Sequence, residues 1–354
     1  MSIFLDSRFN SLAAYTPGEQ PRDMEYIKLN TNESPFPPAP KVCEALNGDD
    51  VEMLRLYSDP TCKTLKEKLA TLYGVKSQNI FVSNGSDDIL NFAFMAYACI
   101  NGVCFPDITY GFYSVFANLH GADSEIIPLK NDFSLDYNDY VGKGKLIVIA
   151  NPNAPTGLTI PVWQIEEIVK TNPKNVVVID EAYIDFGGES CYNLTEKYSN
   201  LLVVRTFSKS RCLAGGRLGY AIACEDIIAD LEKIKFSTNP YSINRLTLKL
   251  GEITVDEEWY YKEKCAEIVK AREYTKNALE ELGFFVTNGN GNFLFAKCDR
   301  INGEDMYIKL REKGILVRHF SAERIKDFNR ITIGSYKQME EFINTVKDIL
   351  GENQ

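Results

Sequence analysis

The sequence predicts an α/β protein, a large doubly wound and mostly parallel-sheet domain followed by a smaller α+β domain. Three observations carry this. The runs "KLIVIANP" (145–152), "NVVVIDEAY" (175–183) and "LLVVRTFS" (201–208) are continuous and β-branched, which marks strands buried on both faces. Helical patterns lie between the strand-like runs, as layered α/β architectures require. After about residue 245 the pattern changes to a long charged helix, short strands and a closing helix.

Taken in order, the first forty residues are rich in proline, asparagine and glutamate ("YTPGEQP", "LNTNESPFPPAP") and read as an extended arm, 1–40. The large domain is expected over 41–245. It contains the strand of "NIFVSNG", ending at Gly85, the helix "SDDILNFAFMAYA", and the three runs above. The small domain, 246–354, opens with the helical stretch "DEEWYYKEKCAEIVKAREYTKNALEELG", closed by Gly283. The strands "FFVTNG", "NFLFAK" and "ILVRHF" follow, then a last helix, "YKQMEEFINTVKDIL". There is no internal repeat and no low-complexity segment.

Composition bounds the function. A chain of 354 residues with 45% hydrophobic residues has material for one large or two modest domains. With 39 basic against 49 acidic residues and no basic run, nucleic acid is not an expected partner. Nine scattered cysteines without a C-x-x-C pair, and only two histidines, give no zinc spacing and read as reduced thiols. The start, "MSIFLDSRFN", lacks the layout of a signal peptide, and the most apolar window, "ILNFAFMAYACI" (89–100), is too short for a bilayer. A cytoplasmic protein without membrane partner or metal is expected.

In open α/β sheets, ligands bind at the C-terminal ends of the strands. Here those ends are Asn84 to Asp87, Asn151 to Gly157, Asp180 to Tyr183, and Thr206 to Lys209, and all four are polar. One such end is ordinary turn chemistry; four on one edge make an active site. "SNGSDD" reads as a helix N-cap and equally as an anion site, because the first N–H groups of a helix are free. Neither a Walker A sequence nor G-x-G-x-x-G occurs, so the anion is a small phosphate group. Thr206, Ser208 and Arg217 complete its shell. Asp180, at the end of a buried strand, requires something cationic, for which a protonated pyridine nitrogen would serve. Lys209 offers an amine able to form a Schiff base. With a stacking aromatic, these parts describe a site for pyridoxal 5′-phosphate.

The motifs carry a resemblance that runs nearly end to end. "AAYTPGEQP", "IKLNTNESPFPP", "LYSDPTCKTLKEKLA", "VSNGSDD", "TYGFY", "NPNAPTG", "DEAYIDF", "RTFSKSRCLAGGRLGY" and "RITIG" resemble the pyridoxal-phosphate-dependent transferases of fold type I, and within them the histidinol-phosphate aminotransferase family. The resemblance implies that Lys209 carries the cofactor, Asp180 pairs with its ring nitrogen and Tyr183 donates to O3′. It implies that Tyr110 stacks on the ring, and that Gly85, Ser86 and Asp87 hold the phosphate with Thr206, Ser208 and Arg217. Tyr57 would reach the neighbouring site across a homodimer. Arg330 would bind the substrate carboxylate, with Arg318, Tyr15 and Asn32 lining the substrate pocket. One position departs: relatives usually carry asparagine where this chain has Ala154, leaving Asn151 or Asn153 to reach O3′.

The implied activity is ping-pong transamination between histidinol phosphate and 2-oxoglutarate, in histidine biosynthesis, by Lys209, Asp180 and Tyr183. Within the fold, a threonine-phosphate decarboxylase of cobalamin synthesis and an aromatic or broad-specificity aminotransferase are the alternatives; the "TPGEQP" and "LNTNE" segments favour the first reading. A regulator with a transaminase-like sensor needs a DNA-binding module, for which the chain leaves no room. For Arg318 and Arg330 the competing reading is a pair of surface salt bridges.

Overall fold

The computed structural model describes residues 4–352 except Ser11 and Ala14. The arm contributes strand β1 (Ile27–Lys28). The large unit contributes β2 (Ile80–Ser83), β3 (Val103–Pro106), β4 (Ser124–Ile127), β5 (Leu146–Ala150), β6 (Val177–Asp180), β7 (Leu201–Thr206) and β8 (Gly219–Ala223). The C-terminal unit contributes β9 (Phe284–Val286), β10 (Phe293–Cys298), β11 (Ile315–Leu316), β12 (Arg318–His319) and β13 (Asn329–Thr332).

Seven strands form the large sheet in the order β2-β8-β7-β6-β5-β3-β4. Only β8 runs against its neighbours, β2 and β7; the other pairings are parallel. Strand β2 therefore points the same way as β5, β6 and β7, and its C-terminal end joins theirs on one edge. All residues of β5, β6 and β7 are buried, because both faces are covered. Val148, Val178, Leu202 and Val204 pack towards helices Ser86–Tyr97 and Glu225–Thr238. Their alternates Ile147, Ile149, Ile179 and Val203 pack towards helix Val162–Thr171. Each such side chain contributes about 1.5–3 kcal/mol by leaving water. The short β3, the partly exposed edge strand β4 and the glycine-led β8 give a weaker sequence signal than these three runs.

The C-terminal sheet has the order β12-β13-β10-β9 and is antiparallel throughout. Helices Glu258–Glu281 and Tyr336–Leu350 bury Ile268, Leu279, Met339 and Phe342 against it. The segment "ILVRHF", read as one strand, splits into β11 and β12, and β11 pairs in parallel with β1 of the arm. The packing does not change at 245/246. Helix Arg245–Asp256 places Leu248 and Val255 in the same cluster as Leu65 and Val82. The change comes inside the long helix Glu258–Glu281, whose Tyr260 and Tyr261 join that cluster while Cys265 onward joins the C-terminal core. A continuous helix shared by two cores gives no compositional break to read. Among the described residues, no helix is long and apolar enough to cross a membrane.

Candidate active site

The polar strand ends meet in a cleft of about 310 Å³ at the C-terminal edge of the large sheet. Its anion end is built by close backbone approach. Ser83 and Thr206 both lie in register with Gly219, so β8 holds the ends of β2 and β7 one strand apart. A Cβ on Gly219 would lie 2.4 Å from the Ser86 nitrogen, so this junction admits only glycine. Gly85 has φ +90° and turns the chain into helix Ser86–Tyr97, whose first N–H groups have no partner within the helix. A Cβ on Gly85 would lie 2.8 Å from Nη2 of Arg217. Ser86, Asp87, Thr206, Ser208 and Arg217 all line the cleft, a set of backbone and side-chain donors suited to a phosphate. The Asp87 side chain takes a structural part: Oδ1 accepts from Tyr110 Oη at 2.7 Å and Oδ2 pairs with Arg217 Nη2 at 3.2 Å.

Asp180 ends β6 and is only 4% exposed. Tyr113 Oη donates to its Oδ2 at 2.9 Å and the Ala182 N–H to its Oδ1 at 3.2 Å. Among the described residues, no cationic side chain forms an ion pair with it. Burial accordingly pushes its pKa up to about 6. This carboxylate is suited to a cationic ligand ring, which would restore its ordinary acidity.

Lys209 reaches the cleft from the segment after β7, and its Nζ donates to the Thr31 carbonyl at 3.1 Å. Burial first, then the Arg330 and Arg217 charges, bring its pKa down to about 8, against the opposing pull of Asp87 and Glu33. The amine lies 5.9 Å from the centre of the Tyr183 ring. Tyr183 Oη accepts from Asn32 Nδ2 at 3.0 Å.

The arm adds Thr31 and Glu33 to the lining, and the C-terminal sheet brings Arg330 close enough for its charge to act on Lys209 and Tyr183. Arg318 and Arg330 face each other in register across β12 and β13. Arg330 donates through Nη2 to the Asn30 carbonyl at 2.9 Å and sits over Phe293, while its Nε is buried without a hydrogen-bond partner. Burial chiefly, with the Arg318 charge adding, lowers its pKa. A carboxylate would satisfy that donor. Arg318 donates to the Thr16 and Pro17 carbonyls at 3.3 and 3.5 Å, so it fastens the arm. Tyr15 stacks on Phe112 with ring centres 4.1 Å apart, close to Tyr110. Neither arginine forms an ion pair with a carboxylate among the described residues, which disposes of the salt-bridge reading.

Some sequence expectations fall beside the cleft and not on its lining, as Tyr15, Asn32, Arg318 and Arg330 do. Asn153 does not line the cleft. It lines the adjoining cavity, where its Nδ2 donates to the Ile108 carbonyl and Thr156 Oγ1 and its Oδ1 accepts from Thr109. Asn151 is likewise committed, accepting from the Ile160 N–H and donating to the Ile160 carbonyl. Ala154 itself lines the cleft, so neither asparagine replaces the missing amide. Tyr57, expected at the neighbouring site of a dimer, lies away from the cleft of its own chain; it is 77% exposed and stacked on Tyr241 with ring centres 4.4 Å apart. Sequence reading missed Tyr113, the Thr31 carbonyl and Glu33 as parts of the site. The spacing of Tyr110 and Tyr113 on one turn was the available signal for the first; a backbone carbonyl leaves none.

The sequence profile described as "Aminotransferase class I and II" matches residues 24–346. A histidinol-phosphate aminotransferase of Brachyspira hyodysenteriae is 49% identical over 352 residues, 99% of each chain. One of Marinomonas sp. is 46% identical over 355 residues, 99% of this chain and 100% of the relative. The crystal structure of histidinol-phosphate aminotransferase from Sinorhizobium meliloti in complex with pyridoxal-5′-phosphate superposes with a TM-score of 0.86 at 22% identity, covering 100% of both chains.

Proposed function

Because the chain belongs to the class I and II aminotransferases, and within them to the histidinol-phosphate aminotransferases, we propose that it exchanges an amino group between histidinol phosphate and 2-oxoglutarate, with pyridoxal 5′-phosphate as cofactor, in histidine biosynthesis. The observation that carries the chemistry is the presence within one cleft of a buried carboxylate with no ion-pair partner among the described residues, Asp180, and a half-buried lysine with depressed basicity, Lys209.

The residues present fit the cofactor. The helix start at Ser86 and Asp87, with Thr206, Ser208 and Arg217, would hold its phosphate; Asp180 would hold a proton on its ring nitrogen; Tyr183 would donate to its ring oxygen. When bound, the cofactor supplies an electron sink for charge developing at the substrate's α-carbon. The chain supplies the rest. Lys209 Nζ, with its pKa near 8, carries a useful neutral fraction at neutral to mildly alkaline pH and takes the proton from that carbon. Arg330 orients an amino-acid donor by its carboxylate, and Arg318 adds positive charge at the mouth for a donor that carries phosphate instead.

The assembly we infer is a homodimer with shared sites. Its support is the exposed apolar surface of Val51, Leu54, Leu56, Tyr57 and Tyr241, with Tyr57 too far out to serve its own cleft. Sedimentation should give a dimer, and a catalytically competent monomer would refute it.

The function is tested by a substrate panel. Amino transfer from histidinol phosphate to 2-oxoglutarate is expected, without carbon dioxide release from threonine phosphate. Borohydride reduction followed by peptide mapping should find the cofactor on Lys209; attachment to another lysine would overturn the assignment.

A further inference from the structure

The direction of the Tyr183 proton is dictated by a short chain of hydrogen bonds. The Asn32 N–H donates to Thr332 Oγ1 at 2.9 Å, so that oxygen is an acceptor and its own proton goes to Asn32 Oδ1, also at 2.9 Å. With Oδ1 accepting, the other end of the amide, Nδ2, must face Tyr183, and it donates to Oη at 3.0 Å. A phenol oxygen that accepts there keeps its own O–H for a different partner. Among the described residues, no protein acceptor takes it. The proton is free for the cleft that Tyr183 lines.

The Asn32 backbone is held as firmly as its side chain. Asn32 is buried and left-handed, at φ +55°, a conformation asparagine tolerates better than most residues. Its carbonyl accepts from Asn292 Nδ2 at 3.0 Å. The two preceding carbonyls serve the same site, Thr31 accepting from Lys209 and Asn30 from Arg330. Ala154 brings no polar side chain to the cleft, the amide of Asn151 is bonded to Ile160, and that of Asn153 to Ile108, Thr109 and Thr156. The O–H of Tyr183 therefore carries the donor function at this wall.

On the pyridoxal-phosphate reading above, we infer that Asn32 is a positioning residue acting through Tyr183. The Thr332–Asn32–Tyr183 chain points the phenol proton at the cofactor's ring oxygen and so offsets the asparagine absent at Ala154. Asn32 thereby acts on the cofactor's electronics, and not as a wall of the substrate pocket.

The test is a pH titration of the bound cofactor's visible absorbance, with cofactor affinity measured alongside. A donor to the ring oxygen stabilises its negative charge, which grows when the neighbouring nitrogen loses its proton. Removing the donor therefore raises the titration midpoint. Tyr183→Phe is expected to raise it by roughly one pH unit, the scale of a hydrogen bond to a charged group. Asn32→Ala and Thr332→Val should move it the same way by less, since the hydroxyl survives but loses its direction, while Thr332→Ser should restore the wild-type value. In a Tyr183→Phe background neither Asn32→Ala nor Thr332→Val should add a shift. The charged and titratable groups facing Lys209 and Tyr183, namely Asp87, Glu33, Arg217, Arg330, Asp180 and Tyr110, are identical in every variant. A shift that persists undiminished without the Tyr183 hydroxyl, or a wild-type midpoint in Asn32→Ala and Thr332→Val while Tyr183→Phe moves it, would overturn the inference. If Asn32→Ala does not fold, the Thr332→Val and Thr332→Ser pair decides alone. Wild-type protein without a cofactor on Lys209 would instead sink the functional reading.

Discussion

The two halves of the cleft are built on different principles. The cofactor half lies along one edge of one sheet: β2, β6 and β7 end there, and the ladder through Gly219 sets the spacing of the phosphate donors. Asp180 and Lys209 form no ion pair among the described residues, and desolvation moves their pKa values accordingly. The substrate half is assembled from pieces far apart in the chain. Arg318 and Arg330 stand opposite each other on β12 and β13, and both donate to carbonyls of the arm. Gly219 apart, side chains on a sheet edge can be altered one at a time with little structural consequence. In the other half, both arginines proposed to meet substrate also hold the arm. Substitutions in the first half should change chiefly chemistry, and those in the second should change binding together with the arm.

Lys209→Ala is the largest expected effect in the first half, and it also removes one donor to the arm, at the Thr31 carbonyl. Single-turnover rates should fall by about 10³–10⁴-fold or more, the contribution of a positioned base combined with loss of the covalent attachment. The phosphate donors do not involve the lysine side chain, so the variant should still retain the cofactor non-covalently in equilibrium dialysis. Loss of cofactor binding to the same extent as activity would contradict a modular cofactor half.

The same contrast explains what was legible in the sequence. Burial on both faces writes itself as unbroken Val and Ile runs, so β5, β6 and β7 could be read directly, and the polar residues ending each run marked the cofactor half. Lys209, Asp180, Tyr183, Thr206, Ser208 and Arg217 were all found in this way or through the motifs, and the structure brings them to one cleft. The substrate half depends on the two-residue pairing of β1 with β11, which has no periodicity to detect. Asn153 lies off the cleft, which the sequence does not reveal because an asparagine in a polar loop reads alike whether it faces ligand or ties two loops together. Its amide is consumed by Ile108 and Thr156, contacts decided by the tertiary path of the loop.

Arg330→Ala probes the second half. Truncation leaves the glutamate carboxylate desolvated and unpaired, costing on the order of 2–5 kcal/mol. The glutamate half-reaction should be severely impaired in single-turnover measurements, and the Asn30 carbonyl should lose its donor. Faster proteolysis of the arm would register that second loss. Unchanged glutamate kinetics would show that the carboxylate is bound elsewhere.

Asp180 allows a test without any catalysis. Its pKa is about 6 when folded, against 3.8 for the free side chain, so between those values the folded state binds more protons than the unfolded one. Its contribution is therefore favourable at low pH and is lost as pH rises from about 4 through about 6. The difference of roughly two units corresponds to about 3 kcal/mol at most. Cofactor-free protein should gain stability at pH 7–8 on Asp180→Asn, and the gain should vanish near pH 4. Saturating cofactor should reverse the preference, because a protonated ring needs the carboxylate. A stability difference independent of pH in denaturant titrations would show that Asp180 is not carrying a buried charge.

The smallest expected effect belongs to Arg318, and it separates the two jobs of the second half. Its exposed guanidinium holds the arm through the Thr16 and Pro17 carbonyls, and it stands in register with Arg330. Exposed charges interact weakly, on the order of 0.2–1 kcal/mol, and are screened by salt. Histidinol phosphate lacks a carboxylate for Arg330 and presents a phosphate of higher charge, so it depends more on positive charge at the mouth. Arg318→Ala should therefore raise KM several-fold, at least as much for histidinol phosphate as for glutamate, and the penalty for the phosphate substrate should shrink at high salt. The arm-holding job is neutral in its acceptors and should respond to salt far less. A substrate-independent loss that does not change with ionic strength would mean that Arg318 serves only the arm. A loss confined to glutamate would mean that the two arginines have been assigned in the wrong order.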